Sequence, residues 1–294
     1  GIDLTSNGSV PILEQNELAY VGGIPVNFAE MQSDVSFQFS GGSPGAMAAM
    51  AWHAAEVLDA KRVVIAYGEY DPITAAAELG KEVAESLGVD RVDMVGFPIV
   101  ATDFLPTLTK IKELEPDAVL VGAADTACAP FMKGAYDLGI DAQLYLTGAC
   151  AAPTIADDVG TEAVEGRIFN IESPIDAEDS DGLMYFEAVA KYGDPQLSAA
   201  SAATISFRSV MNLWSIMTDL GADDVSRASI IEALRATKDR PQFYGHAYTC
   251  DGRQIEEYPA MCAPQQILVR RTTDAMTPEG DWIDVPAIVA DTNR

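Results

Sequence analysis

Four cysteines, two histidines and a set of hydroxyl side chains carry the most distinctive chemistry in this sequence. Cys250 and Cys262 flank a short turn-rich stretch, CDGRQIEEYPAMC, which suits a local disulfide. Cys128 and Cys150 each follow an apolar strand-like run, AVLVGA and QLYLTG, so a parallel sheet would bring them to the same edge of adjacent strands and let them pair. Free buried thiols are the alternative. Zinc is disfavoured, because neither pair has CxxC spacing and only His53 and His246 are available as histidine ligands. No metal site is expected.

Catalytic patterns are not found. SGGSPGAM is glycine-rich but lacks the GxGxxG fingerprint, and there is no GxSxG elbow and no histidine near a serine nucleophile. His53 lies in an alanine-rich helical pattern, where packing is its expected use. The reading is therefore of a protein that binds rather than reacts, with no cofactor. The acidic run DAEDSDG lacks the glycine and ligand spacing of a calcium loop and reads as a solvated helix start.

Charge narrows the partners further. With 45 acidic against 18 basic side chains the formal net charge is −27, which repels nucleic acid and anionic lipid surfaces and suits a solvated coat, with a specific cation partner as the alternative. No apolar run reaches the roughly 18 residues that span a bilayer, and the opening GIDLTSNGSVP has no signal-peptide pattern, so no direct membrane insertion of this chain is expected.

The elements that must position these groups follow from periodicity. Helix and strand patterns alternate from residue 46: AMAAMAWHAAEVL, RVVIAYG, ITAAAELGKEVAESLG ended by Gly88, RVDMVGF, DFLPTLTKIKELE, DAVLVGA, ACAPFMKGAYDLG, QLYLTG, a short helix near PTIADDVG, and GRIFNI. Five apolar strands joined by helices require right-handed crossovers and give a doubly wound α/β sheet. Ligands of such sheets bind outside the carboxyl ends of the strands. That rim carries Tyr70, Asp125, Thr126 and Thr147, with Asp125 open to a second reading as the N-cap of the following helix. Beyond residue 176 come the helices LMYFEAVAKYG, AASAATISFRSVMNLWSIMTDLG and RASIIEALRATK, then a strand in QQILVRRT. Phe207 and Trp214 share a helix face and are expected in the core; Phe243, Tyr244 and Tyr248 read either as stacking surfaces or as loop filling.

The order of several runs resembles the branched-chain-amino-acid-binding-like family of type I periplasmic solute-binding proteins. ATDFLPTLTKIKELEPDAVLVGA, MKGAYDLGI, LTGACA, EAVEGRIFN, TCDGRQ and QQILVR occur here in that family's order. The resemblance implies a two-lobed type I periplasmic-binding-protein fold, with lobe 1 at residues 1–40 and 223–268 and lobe 2 at 41–222 and 269–294. Hinges are expected in FQFSGG, near Gly221 to Asp224, and in VRRT. It also implies that the first lobe is truncated, which would leave unpaired sheet edges. The implied role is an extracellular or periplasmic receptor, secreted or held at the cell surface, whose lobes close on a small polar solute that an ABC importer's permease then takes up. A ligand-sensing regulatory domain of the same fold is the alternative.

The same resemblance assigns ligand contacts. A serine in a first loop and the amides and threonine of a second hold a ligand carboxylate in the family, which maps to Ser6, with Asn7 beside it, and to Ile24, Pro25 and Val26, with Asn27 following. Pro25 has no amide hydrogen and Val26 no hydroxyl, so that pocket is degraded. The family's ammonium ligand falls at Ser201 and its aromatic partners at Ala124 and Ile175, which weakens the α-amino-acid reading and leaves Asp125 as the rim carboxylate.

Overall fold

A computed structural model describes residues 5–174, 179–194, 202–272 and 275–292. Ile175 and Ser201 lie outside them. The chain divides into two compact units, Gly1–Gly42 with Glu172–Gln265 and Ser43–Ile171 with Gln266–Arg294, and so passes between them after Gly42, Ile171 and Gln265.

The first unit opens with α1 (Ser6–Gln15), β1 (Tyr20–Gly22), α2 (Phe28–Gln32) and β2 (Ser36–Gln38). The second begins in α3 (Gly42–Glu56) and runs through β3 (Arg62–Glu69), α4 (Asp71–Ser86), β4 (Arg91–Pro98), α5 (Leu105–Glu113) and β5 (Ala118–Gly122). It continues with α6 (Cys128–Asp137), β6 (Gln143–Leu146), α7 (Pro153–Val159), α8 (Thr161–Val164) and β7 (Ile168–Ile171). The chain then returns to the first unit for α9 (Ser180–Tyr192), α10 (Ala202–Leu220) and α11 (Arg227–Arg235), and ends in the second with β8 (Ile267–Arg271), β9 (Met276–Pro278) and α12 (Val285–Thr292).

The second unit holds a seven-stranded sheet in the order β4-β3-β5-β6-β7-β8-β9, parallel through β7 and antiparallel at β8 and β9. Its central strands are apolar along their length because helices cover both faces: Val63 to Ala66 and Ala118 to Val121 are buried. The connection from β3 moves outward to β4, the next jumps back over β3 to β5, and the sheet then grows the other way. With right-handed crossovers this reversal puts α4 on one face and α5 and α6 on the other. Gly80 of α4 lies against Met47 of α3 and Ile65 of β3, while Phe97, Phe104 and Phe131 cluster by edge contacts with α6.

In the first unit β1 and β2 pair in parallel, and the remaining edge of β2 is taken: Gln38 N–H donates to the Ala260 carbonyl and Cys262 N–H to that of Gln38, both at 2.8 Å. Phe37, Phe39, Tyr248 and the Cys250–Cys262 disulfide form its core with Ile216 and Leu234. Three expectations change here. Residues 179–222 belong with the first unit, not the second, since α10 packs on β1 and Ser209 Oγ donates to the Gly22 carbonyl at 2.7 Å. Of the three expected hinge segments only FQFSGG coincides with a crossing; Gly221 to Asp224 is internal to the first unit and VRRT to the second. Trp214 is 61% exposed, because α10 buries Ile205, Arg208, Ser209, Asn212 and Ile216 instead.

Candidate functional site

The reversal of strand order lies between β3 and β5, the kind of point at which the flanking helices of open α/β sheets depart to opposite faces and leave room for a ligand. Tyr70 follows β3 and forms the N-terminal boundary of α4, with Pro72 in the first turn. Ala124 to Thr126 follow β5 and enter a single 3₁₀ turn, Asp125–Ala127. Thr147 follows β6 and opens a second, Gly148–Ala151. The topology thus gathers Tyr70, Ala124, Asp125, Thr126 and Thr147 at one rim of one sheet.

Two covalent and polar ties hold the two turns. Cys128, at the start of α6, is disulfide-bonded to Cys150 in the second turn. Gly148 N–H donates to Asn170 Oδ1 at 3.1 Å, and Asn170 Nδ2 donates to Gln266 Oε1 at 2.8 Å, which anchors the Thr147 turn to β7. Gly148 is required there: a Cβ would collide with the Asn170 carbonyl oxygen. Asp125 is exposed, and its Oδ1 accepts from its neighbour Thr126 N–H at 2.8 Å. It does not cap α6, whose preceding residue is Ala127, so the capping alternative falls. Thr126 is exposed and Thr147 half-buried, with Thr147 Oγ1 3.7 Å from Cys150 Sγ.

The residues assigned in the first unit form a different arrangement. Ser6 and Asn27 are fully buried, with Asn27 Nδ2 donating to Ser6 Oγ at 2.6 Å, and Asn7 Nδ2 reaches Asn27 Oδ1 at 3.4 Å. The amides of Val26 and Asn27 are already occupied: both donate to Glu30 Oε2, at 2.7 and 3.0 Å, while Tyr20 Oη donates to Glu30 Oε1 at 2.8 Å. A carboxylate of the chain itself sits on the Val26 amide, one of those that the resemblance assigned to a ligand carboxylate. Pro25 packs against Gly42, whose φ of +54° and close approach to the Pro25 carbonyl leave no room for a Cβ. Ile24 is half-buried in the same loop.

Sequence reasoning missed three buried charged side chains, Glu30, Glu172 and Arg208. Glu30 was readable as the fourth residue of N-x-x-E, the spacing by which a carboxylate returns to the amide at a helix start. Arg208, in the apolar run SFRSVMNLW, is fully buried. Its Nη2 donates to the Glu172 carbonyl at 2.6 Å and to Ser173 Oγ at 2.5 Å, and Nη1 to the Phe39 carbonyl at 3.3 Å. Glu172 Oε1 accepts from Ser40 Oγ and from Gly41 N–H at 3.0 and 2.9 Å. Burial brings the Arg208 guanidinium down to about 10, against the pull of Glu172, so it stays charged at neutral pH. Of the aromatic candidates, Tyr248 packs edge-on against Phe39, and Tyr244 is buried with Oη donating to the Pro174 carbonyl at 2.8 Å; both fill the first unit. Phe243 is half-buried against Phe207.

Three solved structures illustrate the likeness of the fold. The leucine binding protein LivK of Thermotoga maritima is 22% identical, with a TM-score of 0.78 over 96% of this chain and 79% of its own. The fatty acid ABC transporter substrate-binding protein of Thermomonospora curvata is 16% identical, with a TM-score of 0.80 over 97% and 75%. An ABC-transporter solute binding protein of Rhodopseudomonas palustris, solved with 4-hydroxybenzoate, is 17% identical, with a TM-score of 0.73 over 95% and 75%. A search of curated proteins returns no match. Residues 2–263 match the model of the periplasmic binding protein family, so the chain belongs to that family.

Proposed function

We propose that this protein is the solute receptor of an ABC importer and that its solute, a small polar organic molecule, rests at the strand-end rim of the second unit. The observation that carries the reading is the rim itself: two turns tied by the Cys128–Cys150 disulfide present Asp125, Thr126 and Thr147 beside the point where strand order reverses. Such a point is where open α/β sheets take ligands. Pre-tied turns spend little ordering entropy on binding. Family membership supports receptor rather than catalytic work, and a membrane permease is the partner such a receptor serves.

The solute differs in its demands from an α-amino acid. Glu30 already occupies the Val26 and Asn27 amides, so a ligand carboxylate does not find that pair free. Hydroxyl and carboxylate groups on the rim suit a solute that donates hydrogen bonds, such as a polyol, an amide or a phenol. The similar structures differ widely in their own solutes, from leucine and fatty acid to 4-hydroxybenzoate.

Thermal-shift screening of the protein against amino acids, amides, aromatic acids and polyols tests this, because a solute bound only by the native state raises the melting temperature by mass action. At a hundredfold excess over Kd the gain is about 2.7 kcal/mol. Asp125→Ala is expected to abolish the shift given by the best solute while leaving the unliganded melting point within about 1 °C, since Asp125 is exposed and makes one local hydrogen bond. A full shift in Asp125→Ala and in Thr147→Val alike would remove the solute from this rim.

A further inference from the structure

The second unit also has a partly open cavity of about 390 Å³ that is no part of the rim. Ser86 and Leu87, in its wall, close the far end of α4, which begins beside Tyr70. At a rise of ~1.5 Å per residue that helix sets the cavity roughly 24 Å from the strand ends. Trp52, Leu87, Leu268 and Trp282 give it an apolar wall, and Glu279, Asp281, Asp284 and Asp291 an acidic one. Among the described residues that line it there is no lysine or arginine.

Acidic residues alone name no ligand; His53 does. Its ring lines the cavity and is 2% exposed, Nδ1 is engaged by Tyr145 Oη at 2.9 Å, and Nε2 has no hydrogen-bond partner among the described residues. Glu279 Oε2 stands 3.9 Å from that nitrogen. Arg270 grips Glu279 through Nε to Oε1 at 2.7 Å and Nη2 to Oε2 at 2.8 Å, which fixes the carboxylate while each oxygen keeps a second lone pair. Burial, outweighing Glu279, holds the imidazole below its ordinary range and so neutral near pH 7; in the tautomer that gives Nδ1–H to the tyrosine oxygen, Nε2 presents an acceptor. Two acceptors at this separation match one nitrogen with two N–H bonds: a donor about 2.8 Å from each meets them at an angle of roughly 90°.

We propose that this cavity binds a primary organic ammonium with a flat apolar body, its head shared by His53 Nε2 and Glu279 Oε2 and its body laid against Trp52 and Trp282. Tryptophan faces favour cations, and the acidic wall excludes anions. The site lies within one unit and does not depend on the rim or its solute.

Fluorescence titration tests it directly, since Trp52 and Trp282 are two of the chain's three tryptophans and the third, exposed Trp214, is removed by Trp214→Phe. In that background benzylamine is expected to quench saturably with one site, benzyl alcohol to bind at least about tenfold more weakly, the loss of one charge-assisted hydrogen bond, and benzoate not at all. Glu279→Gln is expected to weaken benzylamine by about tenfold or more and leave benzyl alcohol unchanged. Should Glu279→Gln not fold, the amine-against-alcohol comparison on the Trp214→Phe protein carries the charge test, and Trp282→Leu, which spares the polar pair, carries the stacking test. Quenching that does not saturate, equal affinity for amine and alcohol, binding of benzoate, or full benzylamine affinity in a folded Glu279→Gln would each overturn the proposal.

Discussion

Ser6 illustrates how a motif residue and its environment part company. Its hydroxyl is legible in LTSNG, but its partner, Asn27, lies 21 residues away, a contact no local pattern announces. Ser6→Ala removes a buried acceptor of Asn27 Nδ2 and is expected to destabilise the protein by about 1–3 kcal/mol, seen in urea unfolding, while the solute-induced thermal shift is kept. His53 shows the reverse: packing in an alanine-rich helix was readable, its buried polar contacts were not. Burial is the main reason its imidazole is held below the ordinary histidine range. The unfolded chain therefore takes up a proton that the folded chain resists, and stability falls as pH drops below about 6.5. Glu279, held low chiefly by its Arg270 hydrogen bond, adds a loss only from about pH 4.5 downward. Between pH 6.5 and 5 the urea midpoint of His53→Gln is expected to fall less steeply than that of the parent; equal slopes would remove His53 as the source.

Helix α10 is the element that binds the first unit together, and its energetics centre on Arg208. Replacing the guanidinium by Met leaves two backbone carbonyls and Ser173 without their donor and the Glu172 carboxylate without its nearby positive charge, an expected cost of about 3–5 kcal/mol. Adding Glu172→Gln is expected to return part of that loss; a fully additive double variant would show that the two charges do not communicate. The turns of the rim answer to a separate test. Cys128 and Cys150 are 22 residues apart, and replacing both by serine is expected to cost about 3 kcal/mol by releasing that loop in the unfolded chain. Elements such as these were largely visible in advance: the apolar runs beginning at Arg62, Arg91, Ala118 and Gln143 all became strands, because buried parallel strands need no alternation and announce themselves. The place of α10 was not visible, since its burial turns on an arginine, a serine and an asparagine, and a hydrophobic pattern points to the opposite, exposed face of Trp214 and Val210.

The charge of −27 acts on the chain as a body. Self-repulsion opposes compactness, and raising ionic strength from about 0.01 M to 0.15 M shortens the screening length from about 30 to 8 Å. The urea midpoint is therefore expected to rise over that range; no change would mean that the charges are too dispersed to matter. The two-unit architecture was implied by the family resemblance, whereas the boundary at residue 171 was not legible, because the chain leaves the second unit directly from the end of β7 without a glycine- or proline-rich linker. That interleaving has a consequence for synthesis. By the time Ile171 leaves the ribosome all five parallel strands exist and can begin to pair, but the nascent β1–β2 pair still lacks α9 to α11 and the segment that closes its edge at Ala260. Ninety-four further residues, 172 to 265, must be made first, on the order of ten seconds of translation. For that interval the β1–β2 pair depends on whatever shields nascent chains, and its edge is covered only once the segment that carries Cys250 and Cys262 has been made.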